Sequence, residues 1–320
     1  MRDFWKQLKK PFFVLAPMAD VTDSVFREII AKYGKPHVFV TEFTSADGLM
    51  SAGREKLMHN LRFTQGERPI IAQFFSAKPE QIKGASALAR ERGFDGVDIN
   101  MGCPDRAVVK QGAGGALIRT PKLARELIRA AKEGAVDIPV SVKTRLGFNK
   151  DTLEEWLPEL LAEHPAVVTI HARTVKELSK VPARWERIRD AVAIRDSLGS
   201  ETLIVGNGDV ANLADARRKA EETGADGVML GRAIFGNPWL FSESGNAPNE
   251  HEKLRVLVEH ANLFETYFKD IKSFAVMKKH FKAYVNGFDG ARDLRIVLME
   301  GDDTAESVRR KIHEFLDSRK

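Results

Sequence analysis

Eight apolar, β-branched runs of strand length recur along the first 235 residues. They are Phe12–Ala16, Val38–Phe43, Ile70–Phe75, Gly96–Met101, Ile138–Thr144, Ala166–Ala172, Thr202–Gly206 and Gly227–Gly231. Most spacers between them read as helix. Val25, Phe26, Ile29, Ile30 and Tyr33 form one apolar stripe, with Thr22 expected as its N-cap. Pro79 and Pro121 stand where first helical turns begin, and Gly93, Gly134 and Gly224 where helices are expected to stop. Eight β-then-α units in about 235 residues is the count and length of a (β/α)8 barrel, with a doubly wound sheet as the runner-up. The expected class is therefore α/β.

From about Asn249 the strand signal ends. Leu254, Leu257, Val258, Phe264 and Phe268 recur at helical spacing, followed by Phe274, Met277, Phe281 and Tyr284, and then by Val308, Ile312, Phe315 and Leu316. The expected organisation is a barrel over 1–241, a linker over 242–249 rich in Ser, Gly, Asn and Pro, and a small helical domain over 250–320. Hydrophobic residues at 43% with 30% charged residues fit a globular protein with a sizeable core. A single cysteine excludes a disulfide framework and multi-cysteine metal sites, and the 8 histidines show no H-x-x-x-H spacing, so no metal is expected. The apolar run after the basic Met1–Lys10 segment is short and meets Pro17, and no later stretch has the length of a membrane span. A monomer in the cytoplasm, without membrane association, is expected.

In a βα barrel the chemistry lies at the C-terminal ends of the strands. Those ends here are unusually polar. They carry Pro17, Met18 and Ala19, then Glu42, Gln73, Asp98, Asn100 and Cys103, then Lys143, Arg145, His171 and Arg173, then Asn207, Gly208, Asp209, Gly231 and Arg232. Any one of these is readable as a loop cap or surface ion pair, but their convergence on one rim marks a site. Glycines at the last two strand ends let backbone N–H groups close around a phosphate, so a flavin mononucleotide or another phosphate is the expected ligand. The loose match Gly206-x-Gly208-x-x-Ala211 stands in the wrong place for a dinucleotide fold. Lys143 and His171 suit an anionic planar cofactor. Absence of G-x-S-x-G disfavours a serine hydrolase, and no Lys-Ser/Thr follows the glycines after Cys103 to make a P-loop. That Gly-rich stretch reads instead as a mobile lid carrying the thiol.

These residues resemble the tRNA-dihydrouridine synthases. The stretches that carry the resemblance are Ala16-Pro17-Met18-Ala19-Asp20, Asp98-Ile99-Asn100-Met101-Gly102-Cys103-Pro104, Val142-Lys143-Thr144-Arg145, His171-Ala172-Arg173-Thr174, Gly206-Asn207-Gly208-Asp209 and Gly227–Arg232. The resemblance runs from about residue 11 to 300. It implies an FMN-binding barrel followed by a helical tRNA-binding domain, with NADPH or NADH as electron donor. By position, Pro17, Met18, Ala19, Gln73, Lys143, His171, Asn207, Gly208, Asp209, Gly231 and Arg232 are the implied FMN contacts. Asn100, Arg145 and Arg173 are the implied substrate residues, and Cys103 the implied catalytic acid. Many relatives carry a tyrosine eight residues after the histidine, where this chain has Ser179. Seven basic residues against three acidic between Lys269 and Arg295 single out Lys278, Lys279 and Lys282 as expected tRNA contacts. The competing expectations are an FMN barrel acting on a small dihydropyrimidine or enone, and a catalytically silent tRNA-binding protein.

Overall fold

A computed structural model describes residues 3–243, 248–300 and 304–319. Residues 244–247 of the expected linker lie outside the described residues. Eight parallel strands follow the eight apolar runs: β1 (Phe12–Leu15), β2 (Phe39–Val40), β3 (Ile70–Phe75), β4 (Gly96–Met101), β5 (Val140–Arg145), β6 (Val167–His171), β7 (Leu203–Asn207) and β8 (Gly227–Leu230). They pair in the order β1-β8-β7-β6-β5-β4-β3-β2, with a two-residue strand at Thr44–Ser45 beside β3. The Val14↔Val38 bridge brings the last strand back to the first, so the sheet closes nearly into a barrel. That contact rules out the doubly wound alternative, whose outer strands stay apart.

Register levels the strand ends. Gln73 pairs with Asp98, Asn100 with Lys143, and Arg145 with His171, which pairs in turn with Asn207. Apolar residues from the N-terminal ends fill the lower barrel, where Trp5 packs with Phe12, Val14, Val38, Ile71, Val167, Leu203 and Met229. The polar interior positions therefore collect at the other end.

Two helix signals have different physical causes from those expected. Thr22 is not the residue before the Ser24–Tyr33 helix; its hydroxyl instead accepts from the Met18 N–H at 2.9 Å. Gly134 does not stop the Pro121–Ala135 helix. A Cβ there would lie 2.1 Å from the carbonyl oxygen of Lys83, so glycine is required by close approach of the Pro79–Glu91 helix. Pro79, Pro121 and the left-handed Gly224 stand at helix ends as expected.

The chain divides into two compact units, Met1–Ser24 with Pro36–Gly231, and Val25–Lys35 with Arg232–Lys320. The second unit holds helices Glu250–Phe268, Lys278–Tyr284, Ala291–Met299 and Ala305–Asp317. Within it Phe26 stacks on His260 with ring centroids 4.9 Å apart, and His280 meets both rings edge-on.

Candidate functional site

The turn after β4 is organised by one side chain. Asn100 Oδ1 accepts from the backbone N–H groups of Gly102 at 3.2 Å and Cys103 at 2.8 Å. Asn100 Nδ2 donates to Gln73 Oε1 at 3.0 Å, and Gln73 Nε2 donates to Asp98 Oδ2 at 2.7 Å. Asp98 Oδ1 accepts from Ser141 at 2.6 Å. All four side chains are buried. Burial raises the Asp98 carboxyl to about 6, against the opposing pull of these hydrogen bonds and of Lys143. The sequence counts Asp98 among the polar strand ends but gives it no task, and Ser141 is not singled out there at all. Their signal was there: polar residues two positions before Asn100 and Lys143, on the same inward face.

Cys103 is half-buried. Burial raises its thiol pKa above the ordinary 9.0, so the group is protonated at neutral pH. Its carbonyl accepts from Gly115 N–H at 2.9 Å. Gly114, at φ 59°, approaches so closely that a Cβ would fall 3.1 Å from the Cys103 Cβ. The Gly-rich segment is thus packed down on the cysteine rather than forming the expected free lid.

Beside the turn, Lys143 projects from β5, half-buried. Its ammonium has no hydrogen-bond or ion-pair partner among the described residues. Desolvation, reinforced by neighbouring Arg145, lowers it to about 8. His171 Nε2 lies 3.0 Å from Arg173 Nη1. A guanidinium only donates, so this nitrogen accepts and the neutral ring carries its proton on Nδ1.

Arg145 and Arg173 are both buried and engaged with backbone. Arg145 donates to the carbonyls of Gly102 at 2.9 Å, Thr174 at 3.1 Å and Leu178 at 2.9 Å. Arg173 donates to Val181 O at 2.6 Å and pairs with Asp209, which also accepts from Ala183 N–H at 2.9 Å. The two arginines and Asp209 therefore fasten the segment 174–183 over the strand ends, leaving Ser179 exposed. Asn207 donates to Met229 O at 2.8 Å. Gly208 sits at φ 122°, and a Cβ on it would strike Ala183 at 2.8 Å.

Pro17 and Met18 are half-buried at the end of β1 and Ala19 is exposed. A Cβ at Gly231 would sit an ordinary 3.6 Å from Ala16 and 3.7 Å from Met18 Sδ, so no protein contact demands glycine there. Arg232 opens the short turn Arg232–Ile234 of the second unit. Lys278, Lys279 and Lys282 lie on the Lys278–Tyr284 helix of that unit, Lys279 and Lys282 exposed and Lys278 half-buried. Among the described residues, no group of three or more His, Cys, Asp or Glu could hold a metal ion, and no helix is long and apolar enough to cross a membrane.

The family model for dihydrouridine synthases matches residues 14–319. The chain belongs to the dihydrouridine synthase family. It is accordingly an enzyme, an oxidoreductase. It is similar to the probable tRNA-dihydrouridine synthase 2 of Bacillus subtilis (strain 168), 42% identical over 98% of this chain and 96% of the relative. The probable tRNA-dihydrouridine synthase of Staphylococcus aureus (strain COL) is also 42% identical, over 98% of this chain and 95% of its own. Among solved structures, this chain shares its fold with a variant of NCR from Zymomonas mobilis, at TM-score 0.52 and 15% identity over 78% of this chain and 94% of that one. Morphinone reductase in complex with tetrahydroNAD shares it at TM-score 0.50 and 13% identity, over 75% and 89%.

Proposed function

We propose that the enzyme reduces a specific uridine in tRNA to 5,6-dihydrouridine, holding FMN at this rim and using NADPH or NADH as reductant. The observation that carries the reading is the pairing of an unpartnered Lys143 ammonium with a protonated Cys103 thiol on adjacent strand ends. The names of the curated relatives supply the substrate class.

The residues present fit FMN. Lys143 makes no hydrogen bond or ion pair among the described residues, and Gly231 leaves side-chain volume open beside Met18. Gln73, Lys143 and His171 would lie along the isoalloxazine edge, with Lys143 as its cation. Pro17, Met18, Ala19, Asn207, Gly208, Asp209, Gly231 and Arg232 would line the rest of the cofactor site. When bound and reduced, FMN supplies the hydride that C6 of the uracil receives.

Cys103 then delivers its proton to C5. A thiol with a raised pKa is suited to that task, because it must carry a proton before it can give one. Asn100 orders the Cys103 turn and, with Arg145 and Arg173, would hold the uracil against it. To reach this rim the base leaves its stack, at a cost of a few kcal/mol that is smaller in loops. Lys278, Lys279 and Lys282 would contact phosphates of the tRNA. The enzyme is proposed to act as a cytoplasmic monomer.

The test is direct. Purified protein should release FMN on denaturation. Incubated with NADPH and unmodified tRNA, it should form dihydrouridine at one mapped position. A protein that takes up no FMN on titration and yields no dihydrouridine would sink the reading.

A further inference from the structure

The hydrogen bonds between Asp98 and Cys103 have a direction. Backbone N–H groups only donate, so the Asn100 atom that receives Gly102 and Cys103 must be oxygen. Its amide nitrogen then faces Gln73, which must answer with Oε1 and turn its own nitrogen toward Asp98. Two amides that in isolation are free to flip are thereby fixed by their ends, backbone donors at one and a carboxylate at the other. We propose that Asp98 is a positioning residue that, through Gln73 and Asn100, sets the amide polarity of the rim and holds the Cys103 turn. The proposal rests on the reading of Cys103 as the proton donor.

Burial gives the direction its force. With Asp98, Gln73 and Asn100 shielded from water, a reversed amide would set donor against donor with no solvent to satisfy either. A buried carboxylate is also costly, and a well-packed apolar residue often replaces a buried ionic group without loss of stability. Its presence here fits a directional task better than a packing one.

The test uses the whole chain and two substitutions. In Asp98→Asn the new amide oxygen still accepts from Gln73, while its nitrogen donates to the Ser141 hydroxyl, so the direction survives without the charge. In Asp98→Leu the acceptor is gone. Cys103 is the only cysteine, so its alkylation by iodoacetamide, measured without tRNA, reports the turn itself. Asp98→Asn should keep the alkylation rate within about twofold, whereas Asp98→Leu should change it about tenfold or more. In single turnover with prereduced enzyme, Asp98→Leu should slow flavin reoxidation by unmodified tRNA by about 10²-fold, as expected of a misplaced group.

Should Asp98→Leu fail to fold, Gln73→Glu and Gln73→Glu/Asp98→Asn replace it. The single change sets two carboxylates face to face. The double change moves the carboxylate one position along the chain of bonds and still gives Asn100 an acceptor, so it should restore the alkylation rate. If Asp98→Asn behaves as badly as Asp98→Leu, charge rather than polarity is at work and the proposal is wrong. It is equally wrong if neither Asp98→Leu nor Gln73→Glu alters alkylation. Were the wild-type protein to form no dihydrouridine, the functional reading would fail, while alkylation would still decide the polarity.

Discussion

Burial acts in opposite senses on Cys103 and Lys143 at the rim. It keeps the Cys103 thiol protonated beyond 9.0, yet brings the Lys143 ammonium down to about 8. Both groups carry their protons below about 8, and as pH rises Lys143 loses its proton first. Affinity of the apo protein for FMN should therefore weaken as pH passes 8, measured by flavin fluorescence titration. Lys143→Arg should abolish that alkaline loss, because a guanidinium stays charged. An unchanged pH profile in Lys143→Arg would show that the ammonium does not face the cofactor. Cys103→Ala separates the second group. It should retain FMN and tRNA and still let NADPH reduce the flavin, but lose about 10²–10⁴-fold in single-turnover reoxidation by unmodified tRNA. Reoxidation at the wild-type rate would place the proton donor elsewhere.

At the level of elements, the barrel was legible because strand periodicity is a local signal: every strand falls within a residue or a few of its apolar run. The rim was legible as a set of polar strand ends, since register follows from closing the sheet. What Arg145 and Arg173 touch was not. Many of their partners are backbone carbonyls, of Gly102 and of the segment 174–181, and a backbone carbonyl leaves no mark in the sequence. Gly134 shows the same limit, because only the neighbouring helix reveals why a side chain is forbidden. The Ala291–Met299 helix escaped notice because Ile296, Val297 and Met299 are exposed beside the buried Leu294 and Leu298, which blurs its stripe. Helix pairing also creates chemistry that no motif announces. Glu250–Phe268 and Lys278–Tyr284 bury His260 and His280 together, and both nitrogens of His280 lack a partner. Desolvation, aided by Lys279, lowers His280 from 6.5 to about 3, and desolvation with His280 lowers His260 as well. Folded, both rings are neutral; unfolded, they bind protons below 6.5. Stability is thus full above 6.5 and falls as pH drops from there toward 3. His280→Leu should flatten that acid slope in thermal unfolding, and an unaltered slope would contradict the burial of a neutral ring.

For the molecule as a whole, the division into units decides how RNA binding should be tested. The compact helical unit includes Val25–Lys35, drawn from the helix that follows β1, and Phe26 of that segment stacks on His260. Deleting 250–320 would strip Phe26 of its ring partners, so weaker tRNA binding after truncation would not distinguish a lost contact from a damaged fold. Charge reversal avoids this. Lys279 and Lys282 are exposed on the Lys278–Tyr284 helix, whereas the half-buried Lys278 has interactions of its own and is best left intact. Lys279→Glu/Lys282→Glu removes two positive charges and adds two negative ones without touching the buried Phe281 or Tyr284. If these lysines meet phosphates, tRNA affinity should fall and the slope of log affinity against log salt should shrink by about 2, near one per lost contact. Melting temperature and flavin content should stay as in the wild type, since neither side chain supports the fold. Affinity and salt slope equal to the wild type would make this helix face merely solvated and send the search for the tRNA surface elsewhere on the chain.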